Sequence, residues 1–503
     1  MMRFVKPTDG SPSTGYRGVF RDREFTGLFV ADVLSRTGSQ LGRFALAALV
    51  YDQTNSPALA AATFAVSYLP GVLGGPFLST LADRLPRRQL LIACDIARGV
   101  LTAAIALGHP RVEVALGLLL LVEFFRVPFG AARMAILADV LPGDRFAAGN
   151  ALVATSQQVV QVAGFVVGGF VVASVGAQPS LLLNAVTYAL SAALLVTFVV
   201  RRPAPAKTGG HRPHLIRDTW EGLRVVRDTD RLPTLLWLLF LGPTVLATAE
   251  GLAIPLAEDL GLGHQAAGVF LAAAPLGSAV GLLVVGRMSE HRRERILIPF
   301  SVGVGVCVAA VGLAPVPMLV IAELVLAGVA MGHVAHLQAT IVGVVAQEAR
   351  GRVIGFANTL LQVGQALALL LAGVVAEAAS IRTVLVCSGV AASVAVCAVA
   401  WLGSPHGRRG RRSRSHGERQ SGAPASSRPK PGPVSTESPT SGQSLVRDAG
   451  PVETQEGREP TRAEPRTERP SPRRTGRPTS ARRRRSTRHT AESDGSGRRT
   501  AIG

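Results

Sequence analysis

The sequence predicts an all-α membrane protein in which twelve transmembrane helices form two pseudo-symmetric six-helix bundles, followed by a disordered C-terminal tail. Three observations support this prediction. Apolar runs of roughly 20 residues, enough to cross a ~30 Å hydrocarbon core, follow one another up to residue 403 of the 503-residue chain. A polar connection at 201–231 divides these runs six and six. Short motifs recur between the two halves.

Each apolar run is interpreted as a helix, because backbone polar groups in lipid must find partners within their own segment. The predicted helices of the first half are 26–51, 59–81, 89–108, 112–139, 149–174 and 179–200. Those of the second half are 232–257, 264–287, 296–314, 317–344, 353–378 and 381–403. The predicted domains are an N-terminal segment 1–23, a first bundle 24–200, a central loop 201–231, a second bundle 232–403 and a tail 404–503.

The loops differ in arginine content, and this difference predicts the orientation. Loops on the side of both termini carry arginines such as Arg145, Arg201, Arg293 and Arg350, whereas the opposite loops offer little beyond Arg111 and Arg382. Positive charge favours the cytoplasmic side, so we expect both termini in the cytoplasm and the protein in the plasma membrane. The first 20 residues lack an apolar stretch, so we expect no cleavable signal peptide.

The tail is rich in Arg, Ser, Pro, Thr and Gly and adds strongly to the net charge of +20. A segment of this composition buries too little apolar surface to fold. Two partners are compatible with its basic runs: nucleic acid and anionic lipid headgroups. We expect lipid headgroups and no nucleic acid, because no folded nucleic-acid-binding module accompanies the tail.

An internal repeat supports the six-plus-six division. The stretch "GNALVATSQQVV" from Gly149 aligns with "ANTLLQVGQALA" from Ala357, with Asn150 over Asn358 and Gln157 over Gln365 at an offset of 208. A shift of six helices preserves chain direction, so the halves are parallel repeats about an axis along the membrane normal. This duplication predicts a cavity between two bundles that is closed at alternate ends.

The loop after the second predicted helix reads "STLADRLPRR" and resembles the GxxxDRxGRR loop motif of the major facilitator superfamily. Asp83, Arg84, Arg87 and Arg88 match its charged positions, while Ser79 and Pro86 replace its glycines. The flanking sequence looks like the branch that contains macrolide-efflux and siderophore-export permeases. This resemblance covers 24–403 and implies a transporter.

Two interpretations of this loop remain open. The arginines alone are explained by topology. Topology does not explain Asp83. We interpret Asp83 as a latch that faces the loop arginines and the N-terminal dipole of the helix beginning near Arg352. Asp95 and Arg98, just inside the third helix, are assigned to the same cytoplasmic gate.

Two further stretches partly match superfamily motifs. "RVPFGAA" resembles the fourth-helix pattern RxxxGxA, whose arginine, here Arg126, the resemblance associates with proton coupling. "GFVVGG" resembles the fifth-helix GPxxGG of exporters, with Phe165 in place of proline. Its glycines, Gly164, Gly168 and Gly169, are also expected to allow close helix packing.

Charged residues inside predicted helices require a partner or an aqueous cavity. Asp32, Arg36, Gln40 and Arg43 fall within about 80° of one another at about 100° per residue, and so form one polar stripe. Glu123 is expected near mid-membrane, where it can pair with Arg126 or, across a cavity, with Arg43. Structural pairing and proton coupling are both open for Glu123.

The repeated amides form a stripe on each of two related helices: Asn150, Gln157 and Gln161 on one, and Asn358, Gln362 and Gln365 on the other. Such stripes suit either a water-filled path or interhelical hydrogen bonding.

The sequence favours a transporter over an enzyme. It contains no GxxxxGKS phosphate loop, nucleophile set, metal-ligand cluster or dinucleotide fingerprint. We therefore expect a monomeric secondary-active exporter of an amphipathic small molecule, with no cofactor and a proton gradient as its energy source. An uptake permease of the same fold and a transport-dead receptor signalling through the tail are the alternatives.

Overall fold

The computed structural model describes residues 16–73, 81–203, 215–229 and 231–403, and this part of the chain is helical. In the first half the helices are α1 (Tyr16–Val19), α2 (Arg23–Thr54), α3 (Pro57–Val66), α4 (Leu69–Leu73), α5 (Leu81–Arg84), α6 (Arg87–Gly108), α7 (Val112–Val140), α8 (Asp144–Val175) and α9 (Ala177–Phe198). The connection contains α10 (Leu215–Asp228). In the second half they are α11 (Leu232–Gly251), α12 (Ala253–Asp259), α13 (His264–Gly286), α14 (Glu290–Leu313), α15 (Pro317–Met331), α16 (His333–Val344), α17 (Arg350–Ala378) and α18 (Ile381–Gly403).

Within the described residues, ten helical spans are long and apolar enough to cross a membrane, with α15 and α16 counted as one. The other two predicted spans are occupied by α2, which carries the polar stripe, and by the segment containing α3, α4 and α5. The exterior is apolar, with exposed side chains such as Val100, Leu283 and Val394, whereas Asp95 and Glu123 are buried. This inside-out distribution of polarity fits lipid as the solvent.

Three of the predicted helices are interrupted, each for a local reason. Pro70 and Pro255 have no backbone N–H to bond the carbonyl four residues earlier. The helix is therefore interrupted shortly before each proline, between α3 and α4 and between α11 and α12. The break between α15 and α16 is at Gly332, where an added Cβ would lie 2.3 Å from the carbonyl carbon of Gly281. A glycine allows this close approach of two backbones.

Equivalent helices pack in equivalent ways in the two halves. In the first half α2 packs against α8 and α9, and α6 against α7 and α9. In the second half α11 packs against α17 and α18, and α14 against α15 and α18. The halves meet through α8 with α13 and through α3 with α17, which are symmetry-equivalent contacts. This packing agrees with the parallel repeat.

Polar contacts also join the halves where α2 ends and α13 begins, which we call the contact end. Asp52 Oδ2 lies 3.2 Å from His264 Nε2. Ser56, the N-cap of α3, hydrogen-bonds to Glu377 near the end of α17. The predicted orientation would place the contact end on the outer side of the membrane, and that orientation remains a prediction.

Candidate functional site

The polar stripe of α2 lines a cavity of about 260 Å³, which we call the polar compartment. Asp32, Arg36, Gln40 and Arg43 all contribute to its wall. Ser35 and Ser39 of the same helix also line the compartment. The neighbouring helices contribute Arg98, Arg126, Phe129, Gly130, Gln157, Gln158, Val160 and Gln161. The four stripe residues therefore share one face, and this face borders the cavity.

Asp32 is shared between two arginines. Its Oδ2 accepts a hydrogen bond from Arg36 Nε at 2.9 Å, the pair expected from their spacing, and another from Arg133 Nη1 at 3.3 Å. The Asp32 side chain is only 2% exposed. One carboxylate thus balances two guanidinium groups at this point.

Glu123 pairs with Arg126, one turn further along α7. The Arg126 Nε donates to Glu123 Oε2 at 2.5 Å, and its Nη2 donates to the Ser67 carbonyl at 3.2 Å. Ser67 lies in the break between α3 and α4. Arg126 therefore links the buried Glu123 to the backbone between α3 and α4.

Arg43 differs from the other arginines of the compartment wall in having no ion pair with an acid among the described residues. Its Nη2 donates to the amide oxygen of Gln40, and its Nε is buried without a hydrogen-bond partner among the described residues. Glu123 and Glu250 lie near enough to interact with its charge. Neither forms a contact with it within the 4 Å that defines an ion pair.

A second cavity of about 190 Å³ adjoins the first and is walled by both halves; we call it the apolar compartment. Gln158 and Gln161 line both compartments. Most of its wall is apolar, with Phe165, Pro243, Leu246, Ala247, Ala249, Phe270, Leu271, Ala274, Pro275, Leu324 and Met331. Its remaining polar groups are Tyr68, Glu250, Ser278 and Gln365.

Tyr68 and Glu250 form a polar contact between the halves. Their side chains lie close enough to interact within the apolar compartment. Tyr68 lies in the break between α3 and α4, and Glu250 is at the end of α11. Glu250 lies in an apolar run of the sequence, and its position along that run does not show that it faces the cavity.

Some residues of the two amide stripes line the compartments, and others do not. Gln157 and Gln161 line the polar compartment, and Gln365 lines the apolar one. Gln362 packs across the interface, where a Cβ added to Gly71 would lie 1.7 Å from its Oε1. Asn150 and Asn358 are exposed and do not line either compartment.

Asp95 and Arg98, which the sequence assigned to the cytoplasmic gate, form a buried ion pair, and their role in a gate stays a prediction. Arg98 Nη1 lies 3.3 Å from Asp95 Oδ1, and both side chains are at most 3% exposed. Ser35 donates to Asp95 Oδ1 at 3.2 Å, and Ser191 donates to Asp95 Oδ2 at 2.6 Å. The pair thus joins α2, α6 and α9 inside the first bundle.

Two more groups complete the surroundings of Arg98. Its Nη2 donates to Ser39 Oγ at 2.8 Å and to the Tyr188 hydroxyl at 2.9 Å. Its guanidinium carbon lies 4.2 Å from the centroid of the Tyr188 ring. Because Arg98 also borders the polar compartment, this network supports the cavity wall from behind.

The loop arginines bind within the first half. Arg87 Nη1 lies 2.5 Å from Asp139 Oδ2 near the end of α7, and Arg88 Nη2 donates to the Val196 carbonyl of α9 at 2.7 Å. Arg84 is exposed. The side chain of Asp83 lies outside the described residues, so its role as a latch stays a prediction.

The three glycines of "GFVVGG" lie along two helix contacts. A Cβ added to Gly164 would be 2.6 Å from Gln40 Cβ on α2, and one added to Gly168 would be 3.6 Å from Phe44 Cβ. Gly169 faces the second half, where an added Cβ would be 2.9 Å from Gly268 Cα.

The family comparison agrees with the fold. The family model described as "Major Facilitator Superfamily" matches residues 28–253 and 251–452. An uncharacterized MFS-type transporter, YkuC of Bacillus subtilis (strain 168), is 22% identical over 232 residues. That match covers 44% of this chain and 54% of the relative, so it spans about half of the relative's length.

Solved structures with the same fold include several kinds of transporter. The nucleoside transporter NupG has a TM-score of 0.60 at 14% identity, over 75% of this chain and 98% of its own. A POT family transporter in complex with 5-aminolevulinic acid has a TM-score of 0.61 at 12% identity, over 76% and 96%. A bacterial homolog of the human lysosomal transporter Spinster, inward-facing and unoccupied, has a TM-score of 0.57 at 16% identity, over 76% and 96%. At these identities the likeness shows the fold alone.

Proposed function

Since the chain belongs to the major facilitator superfamily, we propose that it is a proton-coupled exporter of an amphipathic small molecule. The cargo is drug-like, macrolide-like or siderophore-like. The protein acts as a monomer in the plasma membrane with both termini in the cytoplasm, and it transports by alternating access.

The observation that carries this proposal is the pair of adjoining compartments. One is lined by arginines, amides and a carboxylate, and the other by aromatic and aliphatic side chains. Both halves contribute to the apolar compartment, so rocking of one half against the other changes its shape. A molecule with a polar and an apolar end matches such a site.

Proton coupling requires a carboxyl group that can exchange a proton for a partner. Glu123 and Glu250 are the candidates, since both interact with Arg43. Glu123 also has an ion-pair partner in Arg126, whereas Glu250 has the neutral hydroxyl of Tyr68. Protonation of either changes the charge that Arg43 faces.

We expect Glu123→Gln and Glu250→Gln each to reduce proton-driven transport, because an amide cannot release a proton. The measurement is flux of a substrate panel in inverted membrane vesicles with an imposed pH gradient. Glu113→Gln is the matched control, since Glu113 is exposed in the first turn of α7. If the Glu123 variant keeps an unchanged proton dependence, Glu123 is a structural partner of Arg126 only. If both variants keep it, coupling through these two acids is excluded.

The same vesicles decide the direction of transport. An exporter accumulates substrate inside inverted vesicles when the vesicle interior is acidic. An uptake permease, the other function compatible with this fold, releases preloaded substrate under the same gradient. Accumulation therefore supports export, and release contradicts it.

Asp83→Asn tests the latch. We expect normal membrane insertion, because the arginines of the loop remain, but loss of most transport activity, since the carboxylate can no longer face the neighbouring helix dipole. Surface labelling of introduced cysteines measures topology, and vesicle flux measures transport. A fully active variant would leave only the topological explanation for this loop.

A further inference from the structure

Among the described residues, Arg43 is the cavity arginine without an acidic partner. Three others have one: Arg36 with Asp32, Arg98 with Asp95, and Arg126 with Glu123. Arg43 has only the neutral amide of Gln40. Of the two acids that attract it at longer range, Glu123 is paired with Arg126, and Glu250 interacts with Tyr68.

A guanidinium group in this environment favours a bound anion. The Arg43 Nε is buried without a partner among the described residues, so part of its hydrogen-bonding capacity is unused. Leaving a desolvated charge unbalanced is costly. A planar guanidinium matches a carboxylate, sulfonate or phosphate group in geometry and can bind it with two parallel hydrogen bonds.

The wider charge pattern of the polar compartment also favours an anion. Its wall contains four arginines, Arg36, Arg43, Arg98 and Arg126, and one carboxylate, Asp32. Asp95 and Glu123 balance Arg98 and Arg126 from behind the wall, so the excess positive charge lies on the arginines around Asp32 and on Arg43. Asp32 is already shared with Arg133. A cationic ligand would therefore be repelled here, and the acid available to it would be Glu250 in the apolar compartment.

The apolar compartment provides space for the rest of the molecule. It shares Gln158 and Gln161 with the polar compartment, so one ligand can extend into both. Phe165, Phe270 and Met331 line it. Together the two compartments fall within the roughly 300–1,000 Å³ of small-molecule sites.

We propose that the transported substrate is an amphipathic organic anion, whose acidic group binds Arg43 and whose apolar body occupies the adjoining compartment. This inference rests on the proposed transport function, and it specifies the substrate class. Arg43 is then a binding residue for the substrate rather than a structural ion-pair member.

Binding to the purified full-length protein in detergent tests the proposal. The probes are 6-phenylhexanoate, 6-phenylhexanamide and 6-phenylhexylamine, which differ only in the charge of the head group. Calorimetry and ligand-induced thermal stabilisation measure their binding to the wild type and to Arg43→Gln, Arg43→Lys and Arg111→Gln. Arg111, exposed in the loop before α7, is the matched control.

We expect 6-phenylhexanoate to bind more tightly than the amide or the amine. Arg43→Gln should weaken its binding by at least about tenfold, since hydrogen bonds to charged groups are lost. Arg43→Lys, which keeps the charge, should lose less, and Arg111→Gln should bind as the wild type. Tighter binding of the amine, or unchanged binding of the carboxylate to a folded Arg43→Gln, would overturn the proposal.

The binding assay separates this inference from the proposed function. It uses no pH gradient, so binding as expected with no proton-driven flux would support the anion site and contradict proton-coupled export. Conversely, proton-driven flux of a cation that persists in Arg43→Gln would support the transporter and overturn the anion site.

Discussion

Asp95→Ala is expected to destabilise the protein by about 3–5 kcal/mol, because it leaves the buried Arg98 without its counter-charge. Both residues are almost fully buried between α2, α6 and α9. The substitution also removes the acceptor used by Ser35 and Ser191. Unfolding of the purified protein in mixed micelles titrated with SDS, followed by tryptophan fluorescence, measures the loss.

Two controls distinguish the buried ion pair from a general effect of losing an aspartate. Asp139→Ala removes the acidic partner of Arg87, but that pair is 23% and 36% exposed and should contribute about 1 kcal/mol or less. The double substitution Asp95→Ala with Arg98→Met should recover part of the stability, since no uncompensated charge is left. Equal losses for Asp95→Ala and Asp139→Ala would contradict the proposed role of the network.

The placement of Asp95 also illustrates how much the sequence could predict. The approximate bounds of most spanning helices follow from the length and hydropathy of the runs, because the thickness of the bilayer sets the length of such a helix. Ten helical spans among the described residues meet this requirement. The polar stripe from Asp32 to Arg43 follows from helical spacing on a single element. Asp95 was assigned to the loop, and the sequence did not show that its partners Ser35 and Ser191 lie on other helices. The position of a residue along its own helix does not reveal which other helices its side chain faces.

The same limit applies to the cavity. Glu250 was visible as an acid in an apolar run, but its contact with Tyr68 depends on the break near Pro70 and on the packing of the two halves. Arg43 was expected to need an acid, and the structure instead provides the Gln40 amide. Such details arise from tertiary contacts, which a single sequence with one internal repeat does not determine.

Gly268→Leu is expected to abolish most transport while leaving the protein folded. A Cβ added at this position would lie 2.6 Å from the Phe165 carbonyl oxygen and 2.8 Å from Gly169 Cα, both backbone atoms. Because backbone atoms cannot rotate away, α8 and α13 must separate. Overpacking of this kind costs about 1–3 kcal/mol, enough to shift a two-state equilibrium roughly five- to a hundredfold away from the conformation closed at the contact end.

Spin labels measure this shift directly. In a background with the four cysteines replaced by serine, labels at Gln53 and Ser380, both exposed near the contact end, report the separation of the halves. We expect longer distances and slower vesicle flux in Gly268→Leu. Gly117→Leu is the matched control, since an added Cβ there meets no atom within 4 Å.

Because the two halves are pseudo-symmetric, the same prediction can be tested independently at a second, equivalent helix contact. The contact of α3 with α17 is equivalent to that of α13 with α8, and a Cβ added to Gly373 would lie 2.8 Å from Ala58 Cα. Gly373→Leu should therefore open the contact end as Gly268→Leu does. If only one variant changes the distance, the halves do not close as two equivalent contacts. If neither does, the glycines serve packing alone, and alternating access must use another closure.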